Sequence, residues 1–424
     1  MSPGIAVRTV DLSEPVRELT DVTGYDRVRV YALFNGRMLG YTEVSNWGQS
    51  ISGRRLRASL VDSLGVKPLA ALSNSSEHIV WCRLLAELDA DLMAEDQRED
   101  LDDLHLDHSI TASVVVATLD RPDDLRRCLH NIRAQETDRR IETVVVDNNP
   151  ASGLTSAVVE DFPDVLIVPE RRRGLAYARN AGVLASSGNI VVMTDDDVHV
   201  PLDWIEKLLA PFARDDVAAV TGNVLPLELE TYAQRLFEVY GGLGRGFERK
   251  EVNASWFERC RWGVPTWRLG ASANAAFRSS VFRDPEIGLM REALGPGMPS
   301  GVGEDTYLFY KVLKAGHTIV YEPSAFVWHR HRQGMPALRK QLYDYSKGHV
   351  AYHLTTLLED RDLRALGYLT VRLPVGHARR MAARLRHRSP YPLELSLLEM
   401  RGNLAGPVAL WRSWRRVRHE GTSG

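Results

Sequence analysis

Cysteine is scarce in this chain. Cys82, Cys128 and Cys260 are the three in 424 residues, far apart, with no CxxC pair. That argues against a disulfide framework or a zinc–thiolate site and fits a reducing compartment. Lysine is rarer still for its class, 7 against 46 arginines, a hint of a GC-rich bacterial genome and nothing about fold. No unbroken apolar stretch approaches the roughly 20 residues of a membrane span. The opening residues, MSPGIAVRTVDLSEPVREL, hold no apolar signal-peptide core. A cytoplasmic, non-spanning protein is expected. Two nucleotide loops are also missing: GxxxxGK(S/T), and GxGxxG after a strand. Their absence disfavours a P-loop NTPase and a dinucleotide oxidoreductase. No GxSxG elbow is present either.

What is there is ordinary in bulk and uneven in detail. The hydrophobic fraction is 44% and the charged fraction 25%, as in folded globular proteins. Collagen-like, coiled-coil and largely disordered chains are excluded. The length fits two or three domains. The net charge of −2 argues against a whole-chain nucleic-acid binder. It hides an asymmetry. Residues 1–108 hold 11 Lys/Arg against 18 Asp/Glu, a net −7, and residues 361–424 hold 13 Arg against 4 Asp/Glu, a net +9.

Along the chain, residues 26–44 alternate apolar and polar on both sides of Asn35-Gly36. That dipeptide takes the positive φ values of a tight hairpin turn. A helix is expected from about Arg54 to Leu64. The stretch from about His78 to Leu104 starts apolar and ends acidic, through Glu95, Asp96, Glu99, Asp100, Asp102 and Asp103. It reads as a solvated helix face running into a linker. From Ser109 strand and helix patterns alternate with short connections. SITASVVVATL, IETVVVDNN, VLIVPE and NIVVMT are strand-like, and RPDDLRRCLHNIRAQ and GLAYARNAGVLASSG are helical. Such alternation predicts an α/β fold, a mostly parallel sheet flanked by helices. Before it stands a small α+β accessory domain. After it, a long helix from about Pro336 to Leu358 opens a basic helical extension. The expected division is 1–108, 109–335 and 336–424. No internal repeat at a fixed period is visible.

Chemistry concentrates at four places. TDDD, Thr194 to Asp197, follows an apolar strand. Ligands of open α/β sheets bind beyond the carboxyl ends of strands, and adjacent carboxylates are costly to bury without a cation. Asp195 and Asp197 are candidates to hold Mg²⁺ or Mn²⁺ with a diphosphate. A solvated turn capping the next helix is the plain alternative. Second, Glu304 and Asp305 open a helix, where carboxylates either cap the dipole or serve as a general base. Third, HRH ends a strand, and alternation puts His329 and His331 on one face. Metal ligation is one reading, and Arg330 and Arg332 meeting phosphate is another. Fourth, Asp147 ends a strand and Arg179-Asn180 lies within GLAYARNAG.

In order and spacing, VVVATLDRPDDLRRCL, VVVDNNP, RGLAYARNAG, MTDDDVHVPLDWIEKL, GASANAAFR, GEDTYLFYKVLKAG and AFVWHRHR resemble an inverting family-2 glycosyltransferase of the GT-A fold. The resemblance covers about Ser109 to Arg332. It implies that Thr118 and Asp147 face a nucleoside, with Arg179 near it. It implies that Asp195 meets ribose or the metal shell, and that Asp197 ligates Mg²⁺ or Mn²⁺ between the donor phosphates. His329 would complete that shell. Asp305 would be the base, with Glu304 the second candidate. Three aspartates can be framed in more than one way, so Asp196 also counts as a donor-binding or metal candidate. The implied reaction moves a hexose from a nucleoside-diphosphate sugar to an acceptor hydroxyl in one displacement.

Two other readings compete. A sugar nucleotidyltransferase would need a glycine-rich, lysine-bearing loop where the first strand here runs into TLDRP. A non-catalytic nucleotide-sugar or glycan-binding module would carry broken acidic motifs, and both are whole here. The acceptor class stays open: glycan, lipid-linked or small molecule. HARRMAARLRHR and WRSWRRVRH in the basic tail suit an anionic membrane surface, which puts peripheral contact at the inner face of the cell membrane among the expectations. A solvated helix packed on the catalytic domain is the plainer reading. Nucleic acid is not an expected partner.

Overall fold

The computed structural model describes residues 4–65, 106–386 and 391–423. The acidic run at 95–103, Cys82 and Arg388 lie outside the described residues.

The chain opens with a three-stranded sheet: β1 (Ile5–Asp11), β2 (Arg27–Phe34) and β3 (Arg37–Ser45). β1 and β2 are parallel, and β2 and β3 form the expected hairpin. Asn35 and Gly36 have φ of 48° and 69°, the pair a two-residue primed turn needs. Helix α1 (Gly53–Leu64) starts at Ser52, whose side chain accepts from the backbone N–H of Arg55. Leu56, Leu60 and Leu64, four apart, cover Val28, Val30 and Val44. This sheet therefore has its own small core.

The main body follows as β4 (Ala112–Thr118), α2 (Pro122–Arg133), β5 (Ile141–Asp147), α3 (Leu154–Val159), β6 (Val165–Pro169), α4 (Leu175–Ala185), β7 (Ile190–Asp195), β8 (Val198–His199), α5 (Trp204–Leu209), β9 (Val217–Pro226), α6 (Tyr232–Tyr240), β10 (Lys250–Val252), α7 (Ala254–Arg259), β11 (Asn274–Arg278), α8 (Glu304–Lys314) and β12 (Thr318–His329). Strand order in the nine-stranded sheet is β10-β12-β9-β11-β7-β4-β5-β6, with β8 beside β12. The half β7-β4-β5-β6 is parallel throughout. The other half is mixed. β11 runs antiparallel to both β7 and β9, and β12 runs parallel to β9. The α/β architecture is as expected, but parallel pairing rules only one half. Strand direction is not written in apolar periodicity, so the reversal at β11 left no trace in the pattern.

Side chains alternate across the sheet. Val114 and Val116 face Leu125, Leu129 and Trp204 on one side, and Val115 faces Val146, Ala178 and Phe309 on the other. Each large apolar side chain so buried contributes about 2 kcal/mol. Helices after residue 334 close one flank: α9 (Met335–Glu359), α10 (Arg364–Gly367), α11 (Leu373–Leu385) and α12 (Leu393–Glu420). α12 lies on α9 through glycines. A Cβ at Gly402 would stand 2.7 Å from Ser346, and one at Gly406 would stand 2.6 Å from Val350. α9 in turn nests against the loop before α8, where Gly348 abuts the Val302 backbone. The helical layer thus backs the loop that delivers Glu304. Among the described residues no helix is long and apolar enough to cross a membrane.

Candidate active site

Register builds the site. Thr118 pairs with Asp147 and Ala117 with Asp195, so β4, β5 and β7 end at one edge of the sheet. β4 lies between β5 and β7, where the chain's direction of travel across the sheet reverses, the place where such sheets bind ligands. β8 then pairs His329 of β12 with Val198. That pairing brings a histidine from 132 residues downstream to Asp197.

Asp195, Asp197 and His329 each offer one ligand atom, all within 4.8 Å of one another. His329 Nε2 is 3.2 Å from Asp197 Oδ1. His329 Nδ1 is buried without a partner. Burial pushes the His329 pKa down, against the raising effect of the facing Asp197. Burial alone would raise Asp197, but the facing His329 and Arg121 hold it below the usual carboxylate range. Of the two neighbours, Arg121 is the permanent cation. Two carboxylate oxygens and an imidazole nitrogen are donors that suit Mn²⁺ or Mg²⁺, and the set fits such an ion.

Asp196 takes a different part. Its Oδ2 accepts from Thr118 Oγ1 at 2.7 Å, and its Oδ1 accepts from Arg121 at 3.0 Å. Burial raises its pKa to about 7. Thr118 is therefore engaged in holding Asp196. Arg121, absent from the sequence-derived candidates, also donates to Asp197 Oδ2 at 2.6 Å and pairs with Asp124 at 2.8 Å. It follows Asp120 in the turn between β4 and α2, and its signal was its place at the carboxyl end of a strand.

Asp147 ends β5 and is 1% exposed. Its Oδ1 accepts from the backbone N–H of Asn149 at 3.0 Å. Its Oδ2 is buried with no partner, an acceptor left open as a base or ribose contact would require.

Arg179 does not pair with Asp147. It is 2% exposed and joins the two acidic motifs. Its guanidinium donates to Asp195 at 2.7 Å, to Glu304 at 3.0 Å and to Ser272 Oγ at 2.5 Å. Glu304 is buried under Arg179 and also accepts from the backbone N–H of Gly303. Burial, and then the Asp305 charge, raise its pKa to about 7. Asp305 is half-buried. Its carboxylate accepts from the backbone N–H and hydroxyl of Ser272 at 3.1 and 3.2 Å, and from the backbone N–H of Thr306 at 2.6 Å. Ser272 was not anticipated; it lies in GASANAAFR, just before β11.

His331 leaves the cluster. Its Nε2 is 3.0 Å from Glu238 Oε1, and Glu238 also pairs with Arg29 of β2 at 2.6 Å. The two imidazoles are close, with centroids 5.7 Å apart, but only His329 faces the aspartates. Arg330 sits 3.5 Å from Asp124.

Residues 113–284 match the family model described as Glycosyl transferase family 2. The pre-mycofactocin glycosyltransferase of Mycobacterium tuberculosis is 29% identical over 229 residues, which is 52% of this chain and 43% of that protein. The glycosyltransferase GlyA of Streptococcus pneumoniae is 26% identical, over 54% of this chain and 31% of that one. The glucosyl-dolichyl phosphate glucuronosyltransferase of Haloferax volcanii is 31% identical, over 32% of this chain and 46% of that one. The chain thus spans under half the length of these curated relatives. Among solved structures, the mannosyltransferase PcManGT from Pyrobaculum calidifontis, in complex with GDP-Man and Mn²⁺, is similar with a TM-score of 0.47. It is 19% identical, and the likeness covers 81% of this chain and 96% of that one. The matched segment, residues 113–284, is what this chain has in common with family-2 glycosyltransferases.

Proposed function

We propose that the chain transfers a hexose from a nucleoside-diphosphate sugar to an acceptor hydroxyl, in one displacement with inversion, using Mn²⁺ or Mg²⁺. The observation that carries the reading is the joining of two acidic motifs by one buried arginine. Arg179 ties Asp195, beside the Asp197–His329 pair, to Glu304 at the start of α8. Asp195, Asp197 and His329 would hold the metal, which supplies positive charge to the departing diphosphate. Asp147 Oδ2 accepts from the nucleoside, and Thr118 and Asp196 hold that wall of the pocket. Asp305, the more exposed of the two helix-start carboxylates, takes the proton of the attacking hydroxyl. Glu304 orients Arg179.

The catalytic unit on this reading is residues 109–335, with an accessory unit before it and a helical layer after it. A cytoplasmic location belongs to the same reading. The acceptor is a glycan, a lipid-linked sugar or a small molecule. The name of the Haloferax relative describes action on a lipid-linked sugar, which favours that class for the first acceptor trials. The test is release of nucleoside diphosphate from UDP-, GDP- and dTDP-sugars with and without Mn²⁺, after a thermal-shift screen to choose the nucleotide. Release that needs metal and one nucleotide supports the reading. No stabilisation by any nucleotide diphosphate in the presence of Mn²⁺ overturns it.

A further inference from the structure

α12 carries two apolar faces. One is the seam on α9, through Leu395, Gly402, Gly406, Ala409, Leu410 and Ser413, all buried. The other points outward. Leu393, Leu397, Met400, Leu404, Val408 and Trp411 recur three or four residues apart and are 38% to 81% exposed. The offset of two residues between Gly402 and Leu404, or Gly406 and Val408, turns about 200° around a helix. The stripe is therefore opposite the seam. A solvated surface helix keeps that face polar. This one keeps it apolar for about five turns.

The charge beside the stripe has one dominant sign. Arg401, Arg412, Arg415 and Arg418 are exposed on α12. Arg415 lies over the Trp411 ring at 4.9 Å. The exposed acid of this helix, Glu394, is already paired with Arg339 at 2.9 Å. The adjoining helix α11, tied to α12 by Asn403 to His377 at 2.7 Å, exposes Val375 and Arg379. Part of the basic charge that looked membrane-seeking in sequence is engaged by the protein itself. Arg416 donates to the carbonyls of Gly297 and Arg173, and Arg380 pairs with buried Glu399. The exposed stripe runs instead from the start of α12 to Trp411.

We infer that the outward face of α12 is a membrane-docking surface for anionic lipid, with Leu404, Val408 and Trp411 entering the headgroup boundary and Arg401, Arg412 and Arg415 meeting lipid phosphates. An apolar stripe rimmed by arginine is the pattern of a helix lying in the interface plane. A Trp beside an Arg suits the boundary between wet and dry. A second copy of the chain is the competing occupant. It would bring two arginine-lined stripes together, which the charge disfavours. The inference stands independently of the reaction proposed above.

The experiment is co-sedimentation of the full chain with phosphatidylcholine vesicles, with and without about one-third phosphatidylglycerol, at low and high salt. The variants are Leu404→Glu with Trp411→Glu, and Arg412→Ala with Arg415→Ala. All of these side chains face outward, so melting temperature and nucleotide-sugar turnover without vesicles are expected to match the parent. Expected results are binding to the anionic vesicles only, weakened by salt, about tenfold weaker in each double variant. Equal binding by parent and variants overturns the proposal, as does no binding by the parent. Sedimentation equilibrium tests the competing occupant: a parent dimer that the Leu404→Glu, Trp411→Glu variant dissolves, without vesicle binding, assigns the stripe to self-association and overturns the proposal.

Discussion

Two clusters of acid face each other across Arg179, and they are built differently. The cluster at the end of β7 is short and crowded. Asp195, Asp196 and Asp197 are consecutive, and each has its own cation or donor: Arg179, Thr118 with Arg121, and Arg121 with His329. The cluster at the start of α8 has two acids and divides them. Glu304 is buried on an arginine, and Asp305 is left half-buried over Ser272. The first arrangement sets donors and cations against crowded carboxylates: Asp197 is held below the usual carboxylate range, while burial raises Asp196. The second keeps one acid for architecture and presents the other. The same residue type therefore serves by placement: a strand end gathers charge, and a helix start separates it.

The sharpest break of this comparison is Asp197→Ala. Transfer should fall by about three orders of magnitude or more, Mn²⁺ binding by calorimetry should vanish, and the circular dichroism should be unchanged. Full turnover in that variant would place the metal elsewhere or nowhere. Next is Asp305→Asn. Turnover should drop roughly 10²- to 10⁴-fold, the range of a lost general base, while nucleotide affinity holds. An equal loss of nucleotide affinity would make the helix-start cluster structural.

A third test uses pH. The folded-state pKa of Glu304 is raised from 4.5 to about 7, first by burial and then by Asp305. The folded chain then holds that proton more tightly than the unfolded one. The stability so gained is fully present below about pH 4.5 and is lost as pH rises through 7. The slope amounts to roughly 3 kcal/mol at most. Glu304→Gln should flatten that part of the melting-temperature profile between pH 5 and 8, and a profile as steep as the parent's removes the assignment. The smallest effect is expected from Arg121→Ala. With its competing cation gone from Asp196 and Asp197, the site should bind Mn²⁺ several-fold more tightly, about 1 kcal/mol. Weaker binding would mean that Arg121 props the ligands open instead.

Much of this was legible in the chain itself. Alternating apolar runs marked β4 through β7 and their helices, because burial on both faces writes a strong pattern. Asn35-Gly36 marked its hairpin for a local reason, since few residues take positive φ there. Asp195, Asp197 and His329 stood out because their residue types are costly in apolar surroundings. The roles of Arg121, Arg179 and Ser272 were not legible. Arg179 lies 125 residues from Glu304 in sequence, and nothing local says which acid an arginine will find. Arg121 follows a short turn and reads like any solvated cation. The antiparallel β11, built from small residues, carries no mark of its direction.

The glycine-lined seam between α9 and α12, with Gly348 against Val302, also bears on how this chain can be recombined with its relatives. The family match ends at residue 284, before Glu304, β12 and His329 have entered the chain. A chimera joined at that boundary would inherit the strand-end acids without their histidine. It would also carry the helix-start acids on a foreign backing. The smallest exchangeable module runs from the first strand of the large sheet to the end of α12, because the last helix is part of the mould in which the loop before Glu304 is cast.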